Sequence, residues 1–342
     1  MTQESGNRLK RSRVLVTGAD GFIGSHLTEL LMARGIETRA FVQYNSFGSW
    51  GWLDTLPPKL RGELDVVAGD IRDRTSVRNA MKGCDVVLHL AALISIPYSY
   101  VAPQSYVETN ITGTLNVLEA ARDLSVSRVV QTSTSEVYGS AQFVPITEEH
   151  PLQGQSPYAA TKIGSDQLAL SYFRSFDTPV TVLRPFNTYG PRQSTRAVIP
   201  SIILQIVSGR TEIELGNLTA TRDFTLATDT AEGFILAAGC DACLGEVVNI
   251  GSGFEISIGD LTTLIGRTMG KNIVVKQNDK RLRPAKSEVD RLFAGVDKAR
   301  RLFNWSPVHG GLDGFQKGIE KTAAWFSDPA NLVHYADHKF NV

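Results

Sequence analysis

The sequence predicts an α/β fold: a doubly wound parallel sheet with helices on both faces and a smaller, discontinuous C-terminal region. Three observations predict it. Short apolar runs alternate with helix-period stretches up to residue 184, a glycine-rich turn occupies the first strand-to-helix junction, and the alternation fails beyond residue 184.

Val14-Leu15-Val16 is the first strand and runs into Thr17-Gly18-Ala19-Asp20-Gly21-Phe22-Ile23-Gly24. The amphipathic stretch Ser25–Arg34 follows and ends at Gly35. Gly18 allows a tight turn, Gly21 lets backbone approach a pyrophosphate, and Gly24 lets helix and strand pack closely. Strand, glycine turn and helix in this order form the dinucleotide-binding unit of a Rossmann-like sheet. Thr38–Val42, Leu64–Ala68, Val86–Leu90, Val129–Thr132 and Val180–Leu183 are the next strands. Between them Thr75–Met81, Asn110–Asp123 and Tyr158–Phe173 have helical spacing. Past Arg184 the chain turns irregular, with Pro191, Pro200, Gly209, Gly216 and the polar run Thr219–Asp223. Val247–Ile250 is strand-like and expected to return to the main sheet. The expected organisation is a dinucleotide-binding domain over 11–184 with 225–250 returning to it. Residues 185–224 and 251–326 form the substrate-binding region, and 1–10 and 327–342 are tails.

At 342 residues with 42% hydrophobic and 20% charged content, the chain is of ordinary globular composition. Thirty-five basic residues balance thirty-five acidic ones, so no overall field favours nucleic acid or an anionic membrane. The apolar runs are too short to span a bilayer, and the polar N-terminus lacks the apolar stretch of a signal peptide. Three cysteines make no disulfide framework. Cys240 and Cys243 form a lone CxxC and read as ordinary thiols near a helix end, so no metal site is expected. A cytoplasmic protein is the expectation.

The most informative residues are Ser133–Gly139 and the later Tyr158-Ala159-Ala160-Thr161-Lys162. A Tyr and a Lys four apart share one helix face. There an ammonium can lower a phenol's pKa and make a base for a substrate hydroxyl. Thr134 would hold the same substrate oxygen. Glu136 adds a carboxylate that simple alcohol oxidation does not need.

With these motifs the chain resembles the extended short-chain dehydrogenase/reductases, in the branch acting on nucleotide-activated sugars. The resemblance covers roughly residues 11–326. It is carried by Thr17–Gly24, Gly69-Asp70-Ile71, His89-Leu90-Ala91-Ala92, Asn110–Thr114, Ser133–Gly139, Tyr158–Lys162, Arg184–Pro191, Arg222-Asp223-Phe224 and Asn249-Ile250-Gly251. It implies that Tyr158 is the catalytic base, Lys162 its electrostatic partner, and Thr134 the residue orienting a sugar 4-hydroxyl, with Ser135 and Glu136 beside them. The implied cofactor site comprises Gly18, Gly21, Phe22, Ile23, Gly24, Asp70, Ile71, Leu90, Ala91, Ala92 and Thr132, with Tyr158 and Lys162. Asn187 and Arg222, with Arg192 and Arg283, are the candidates for holding the nucleotide-sugar substrate. Asn110 reads as a backbone organiser rather than a ligand contact. The family commonly forms homodimers, here through Asn110–Asp123 and Tyr158–Phe173.

Members of this branch begin by moving the C4 hydride to the nicotinamide. A 4,6-dehydratase then needs a base at C5 and an acid for the departing C6 hydroxyl, and Glu136 is the residue type required. A 4-epimerase needs no such carboxylate. Thr134-Ser135-Glu136 replaces the Thr-Asp-Glu of dTDP-glucose dehydratases and resembles GDP-mannose 4,6-dehydratase and the UDP-glucuronate decarboxylases. Where the decarboxylases place a substrate-binding arginine this chain aligns Leu292, with Arg291 adjacent. Glu288-Val289-Asp290 resembles the GDP-mannose dehydratase pattern, so dehydration is favoured. As a whole the chain is similar to bacterial hexosamine 4,6-dehydratases of legionaminic-acid-type pathways, implying UDP- or GDP-linked N-acetylglucosamine. The alternatives are a UDP-glucuronate decarboxylase, a 4-epimerase, or a catalytically silent nicotinamide-nucleotide sensor. The segment after the second strand, Val42-Gln43-Tyr44-Asn45, offers neither the acid of NAD users nor an arginine for a 2′-phosphate. A phosphate without a cation would bind poorly, so NAD is expected and NADP is the alternative. Trp50 and Trp52, on the long loop that follows, are read as a hydrophobic plug or a ligand contact.

Overall fold

The computed structural model describes residues 9–278, 281–282 and 284–335. Its centre is a seven-stranded, all-parallel sheet built from β1 (Val14–Thr17), β2 (Thr38–Gln43), β3 (Asp65–Gly69), β4 (Val86–His89), β5 (Arg128–Thr132), β6 (Val180–Pro185) and β10 (Val247–Ile250). The order is β10-β6-β5-β4-β1-β2-β3. β1 and β4 are buried along their whole length because helices cover both faces. That burial explains why these strands are continuous apolar runs rather than alternating ones. The chain reverses direction across the sheet at β1 and β4, and the C-terminal ends of the strands there form the crevice in which doubly wound folds bind ligands.

The helix Phe22–Ala33 follows β1 and packs against Ala227–Ala238, which leads into β10. Pro157–Phe176 begins with Ser156 accepting from the Ala159 amide and with Pro157 in its first turn. It ends at Asp177 in the left-handed conformation. The stretch expected to start a helix at Asn110 is helical from Pro103, interrupted by a π-turn over Val107–Thr112. Such turns open a helix locally, and this one contains Asn110.

The second lobe is a small mixed sheet around β9 (Thr221–Leu226). β11 (Glu255–Ser257) pairs antiparallel with it; β13 (Arg291–Leu292) and β7 (Asn187–Tyr189) pair parallel. β8 (Glu212–Leu215) and β12 (Val274–Gln277) form a separate pair. The lobe has its own apolar core, centred on Tyr189, Ile202, Phe224, Leu261, Phe315 and Phe326. No helix among the described residues is long and apolar enough to cross a membrane.

Clasps tie the lobes together. His26 Nε2 donates to the Pro191 carbonyl at 2.9 Å, and Arg192 pairs with Glu29 at 2.8 Å. Trp52 packs edge-on against Trp325 and His334 and tilts over Tyr335, with ring centroids 5.2–5.6 Å apart. Trp52 is therefore a plug. It holds the start of the expected C-terminal tail, whose Pro329–Leu332 is helical and whose Tyr335 donates to the Gln193 carbonyl at 2.8 Å.

Burial, with Arg192 nearby, lowers the His26 pKa to about 4, and burial with Lys162 nearby lowers that of His89 to about 3. Both rings are neutral in the folded chain, whereas unfolded histidines protonate near pH 6.5. Stability is therefore lost as pH falls from about 6.5 towards 4, by up to about 1.4 kcal/mol per pH unit for each ring. His26→Gln keeps an N–H for the Pro191 carbonyl and removes one of these protons. Thermal unfolding at pH 7 and pH 5 should show a smaller drop in Tm for the variant than for the wild type. Equal drops would refute the assignment.

Candidate active site

The glycine turn is fixed by backbone geometry. Gly18 has φ +67°, and a Cβ there would lie 2.8 Å from the Ala91 backbone. A Cβ on Gly24 would lie 2.1 Å from the Gly18 carbonyl, so helix and turn pack with no room for a side chain. Phe22–Ala33 starts at extended Gly21 without a side-chain cap and without an acidic residue in its first turn. Its first amides and the positive end of the helix dipole are thus available to an anion. This cradle fits the pyrophosphate of a dinucleotide.

The floor of the groove is set by Thr17, the first residue of the glycine motif, whose role the sequence does not reveal. Its Oγ1 accepts from the amides of Leu90 (3.1 Å) and Ala91 (3.2 Å) and lies 2.7 Å from His89 Nδ1. With both acceptor positions taken, Thr17 donates to Nδ1, which leaves the ring proton on Nε2, facing Thr114 Oγ1 at 3.2 Å. Asn110 closes the same groove. It exchanges hydrogen bonds with the Leu93 backbone (2.8 and 3.0 Å) and donates to Thr161 Oγ1 at 3.0 Å. Asp70 is engaged by Arg72, whose hydrogen bonds hold its carboxyl below the usual range. Ile71 is buried beside Gly113.

β5 delivers Thr132, Ser133 and Thr134 to the crevice, and a single 3-10 turn, Ser135–Tyr138, follows. Thr134 caps that turn by accepting from the Glu136 amide at 3.2 Å. Ser135 and Glu136 are both buried. Across the crevice, the first turns of Pro157–Phe176 bring in Tyr158 and Lys162, also buried. The Thr134 hydroxyl lies close enough to the Tyr158 phenol to favour its charged form, and the Glu136 carboxylate lies close enough to act on its charge. Thr134, Ser135, Glu136, Tyr158 and Lys162 thus converge.

One expectation needs correction. The phenol is raised, not lowered: burial dominates, opposed by the Thr134 hydroxyl, with Glu136 adding to the rise. Lys162 Nζ donates to the Thr132 carbonyl at 2.6 Å, and burial lowers its pKa to about 8. The ammonium is held by the strand end rather than by the phenol.

Behind this surface lies a buried polar network. Asp166, four residues after Lys162 and fully buried, accepts from Ser133 Oγ (2.7 Å) and from Arg184 Nε (3.1 Å) and Nη2 (2.9 Å). Arg184 Nη1 donates to the Tyr138 hydroxyl at 2.9 Å, which donates to Asn249 Oδ1 at 2.7 Å. The Asn249 amide donates to Glu148 at 2.7 Å. Burial raises Asp166, with Arg184 and Ser133 opposing. The network joins three strand ends, the Glu136 turn and the Tyr158 helix.

The substrate candidates separate. Asn187 opens β7, and its Nδ2 is buried without a hydrogen-bond partner. Arg222 is buried on β9, donates to the Thr221 carbonyl at 2.9 Å and lies 3.6 Å from Glu288. Next to it Asp223, raised to about 6 by burial, accepts from the amides of Ser252 (2.6 Å), Gly253 (3.0 Å) and Ala294 (3.3 Å) and so ties two loops to β9. Arg192 sits at the lobe clasp, where its Nη2 pairs with Glu29 and its Nη1 is buried without a hydrogen-bond partner. Arg283 lies outside the described residues. Thr17 and Asp223 lie within motifs of the sequence and Asp166 in none, but the roles of all three depend on partners distant in sequence.

The chain is similar to known proteins over most of its length. The model of the GDP-mannose 4,6 dehydratase family matches residues 15–321. A dTDP-glucose 4,6-dehydratase of Actinoplanes sp. is 33% identical over 328 residues, covering 92% of this chain and 97% of that protein. Among solved structures, a UDP-N-acetylglucosamine 4-epimerase of Methanobrevibacter ruminantium superposes with a TM-score of 0.81 at 29% identity, covering 92% and 98% of the two chains. A double mutant of the dTDP-glucose 4,6-dehydratase DesIV of Streptomyces venezuelae, solved with NAD, gives 0.80 at 29% identity over 93% and 97%. Dehydratases and epimerases are both represented.

Asp166→Asn would leave Arg184 buried without a countercharge, which costs about 3–5 kcal/mol. Urea unfolding should show a loss of that order, partly restored by adding Arg184→Met. A loss under about 1 kcal/mol would show that the pair does not hold the site.

Proposed function

We propose, for a chain that belongs to the GDP-mannose 4,6 dehydratase family, that it is a nucleotide-sugar 4,6-dehydratase: it oxidises C4 of a nucleotide-linked hexose, eliminates water across C5 and C6, and returns the hydride to C6. The observation that carries the reading is the buried Glu136, two residues from Thr134 and beside the Tyr158 phenol. NAD, held by Gly18, Gly21, Gly24 and the groove from Leu90 to Ala92, supplies hydride acceptance and return. Thr134 holds the C4 hydroxyl, and Tyr158 takes its proton once ionised, the phenolate that burial disfavours being the form in which it acts as a base. Oxidation makes C4 a ketone, which acidifies C5–H. Glu136 takes that proton and delivers one to the C6 hydroxyl as water leaves, with Ser135 positioning it. Asn187 and Arg222 are suited to the diphosphate, since a buried amide N–H and a planar guanidinium both donate to phosphate oxygens.

Two features support dehydration over the alternatives. A 4-epimerase has no step at C5 or C6 for a buried carboxylate to serve. The arginine expected of a decarboxylase is missing. Leu292 pairs in register with Arg222 and is fully buried, and Arg291 is exposed and pairs with Glu255. The sugar we favour is UDP- or GDP-linked N-acetylglucosamine, handled by a cytoplasmic homodimer. Dimerisation would run through the two helices expected for it, Asn110–Asp123 and Tyr158–Phe173, which carry apolar positions at helical spacing. Sedimentation at micromolar concentration should show a dimer, and a monomer would reject it.

Tyr158→Phe should slow C4 oxidation by roughly 10²–10⁴-fold with the fold intact, and near-normal turnover would refute its role. Glu136→Gln should uncouple the two halves of the reaction. The near-ultraviolet absorbance of reduced nicotinamide should accumulate while 4-keto-6-deoxy product and C5 deuterium exchange fall well below wild type. Dehydration at the wild-type rate would make Glu136 structural and remove the main support for the assignment.

A further inference from the structure

The end of β2 is where a dinucleotide-binding sheet meets the adenine ribose, and there a carboxylate ordinarily accepts from the two ribose hydroxyls. This chain carries Gln43, Tyr44 and Asn45 at that point, none of them acidic. A carboxylate reaches the same place from a different element. Gly18 and Ala19 donate their amides to the Phe41 carbonyl (3.0 and 3.4 Å), so the glycine turn runs alongside the end of β2. Asp20, the next residue, accepts from the Gln43 amide at 3.3 Å. Its backbone is fixed from the other side. The Trp52 amide donates to the Asp20 carbonyl at 3.0 Å, and Gly51, at φ +58°, passes so close that a Cβ would lie 2.6 Å from that oxygen. The long loop after β2 thus locks Asp20 in position. Among the described residues the carboxylate accepts only from the Gln43 amide and its own, forms no ion pair, and is raised by burial.

We infer that Asp20, on the glycine turn, replaces the missing acid at the end of β2: its carboxylate receives the vicinal hydroxyls of the adenine ribose and repels a 2′-phosphate, making this site selective for NAD over NADP. The inference rests on the reading of the protein as an NAD enzyme. It concerns dinucleotide binding alone and is independent of whether the sugar is dehydrated or epimerised.

The test is calorimetric titration of the purified full chain with NAD⁺ and with NADP⁺, without sugar. Wild type should bind NAD⁺ at least about a hundredfold more tightly than NADP⁺, since a charged pair of hydrogen bonds is lost and a like charge gained. Asp20→Asn keeps an acceptor for the Gln43 amide but loses the charge. Its NAD⁺ affinity should fall roughly tenfold to hundredfold, while NADP⁺ affinity holds or rises and the preference narrows below about tenfold. Asp20→Ser should behave alike, and unchanged thermal unfolding without nucleotide separates a binding effect from a folding one. A wild-type chain binding both dinucleotides equally overturns the inference whatever the variants do, as do variants that keep the wild-type ratio. A wild-type chain that binds neither overturns the NAD reading as well.

Discussion

A carboxylate and a guanidinium sealed from water organise this site. Asp166 and Arg184 are each at most 2% exposed, so neither tolerates loss of the other. Asp166 lies one turn beyond Lys162 on the helix that carries Tyr158, and Arg184 lies on β6. Ser133 reaches Asp166 from the end of β5, and Tyr138 reaches Arg184 from the turn that contains Glu136. The two halves of the proposed chemistry, hydroxyl deprotonation and C5 proton removal, are therefore referenced to one ion pair. Directional hydrogen bonds in a low-dielectric interior hold them more tightly than apolar packing would.

The same logic recurs around the crevice. Asp223 ties two loops of the second lobe to the strand that carries Arg222, and Thr17 with His89 sets the course of Leu90 and Ala91. Each is a buried polar group whose partners belong to other elements. A site assembled from several strand ends and two helices needs such ties, because loops carry little apolar area of their own. The reacting side chains are set on this frame. Burial then tunes them, raising the Tyr158 phenol and lowering the Lys162 ammonium.

Much of this was legible beforehand, for local reasons. All seven strands of the main sheet were visible as apolar runs, the inner ones because parallel strands are buried on both faces, whereas β3 lies partly exposed at the sheet edge. The glycine turn and the Tyr158–Lys162 pair were visible because their chemistry depends on short spacing along the chain. What escaped depends on contacts between distant segments. The π-turn at Val107–Thr112 has the composition of an ordinary helix. That Arg192 meets Glu29, on a helix of the other lobe, could not be read from either segment alone. Trp52 has its partners in the C-terminal segment, so the sequence could not separate plug from ligand contact. The expected lowering of Tyr158 failed because helical spacing says nothing of depth, and depth decided the sign.

The central claim is that hydride leaves C4 and returns to C6 while water is lost between. It is tested most directly with C4-deuterated UDP- and GDP-N-acetylglucosamine and mass spectrometry of the product. The account predicts a sugar lighter by one water with the deuterium on C6. A product of unchanged mass, with C4 inverted and the deuterium still on C4, would contradict it.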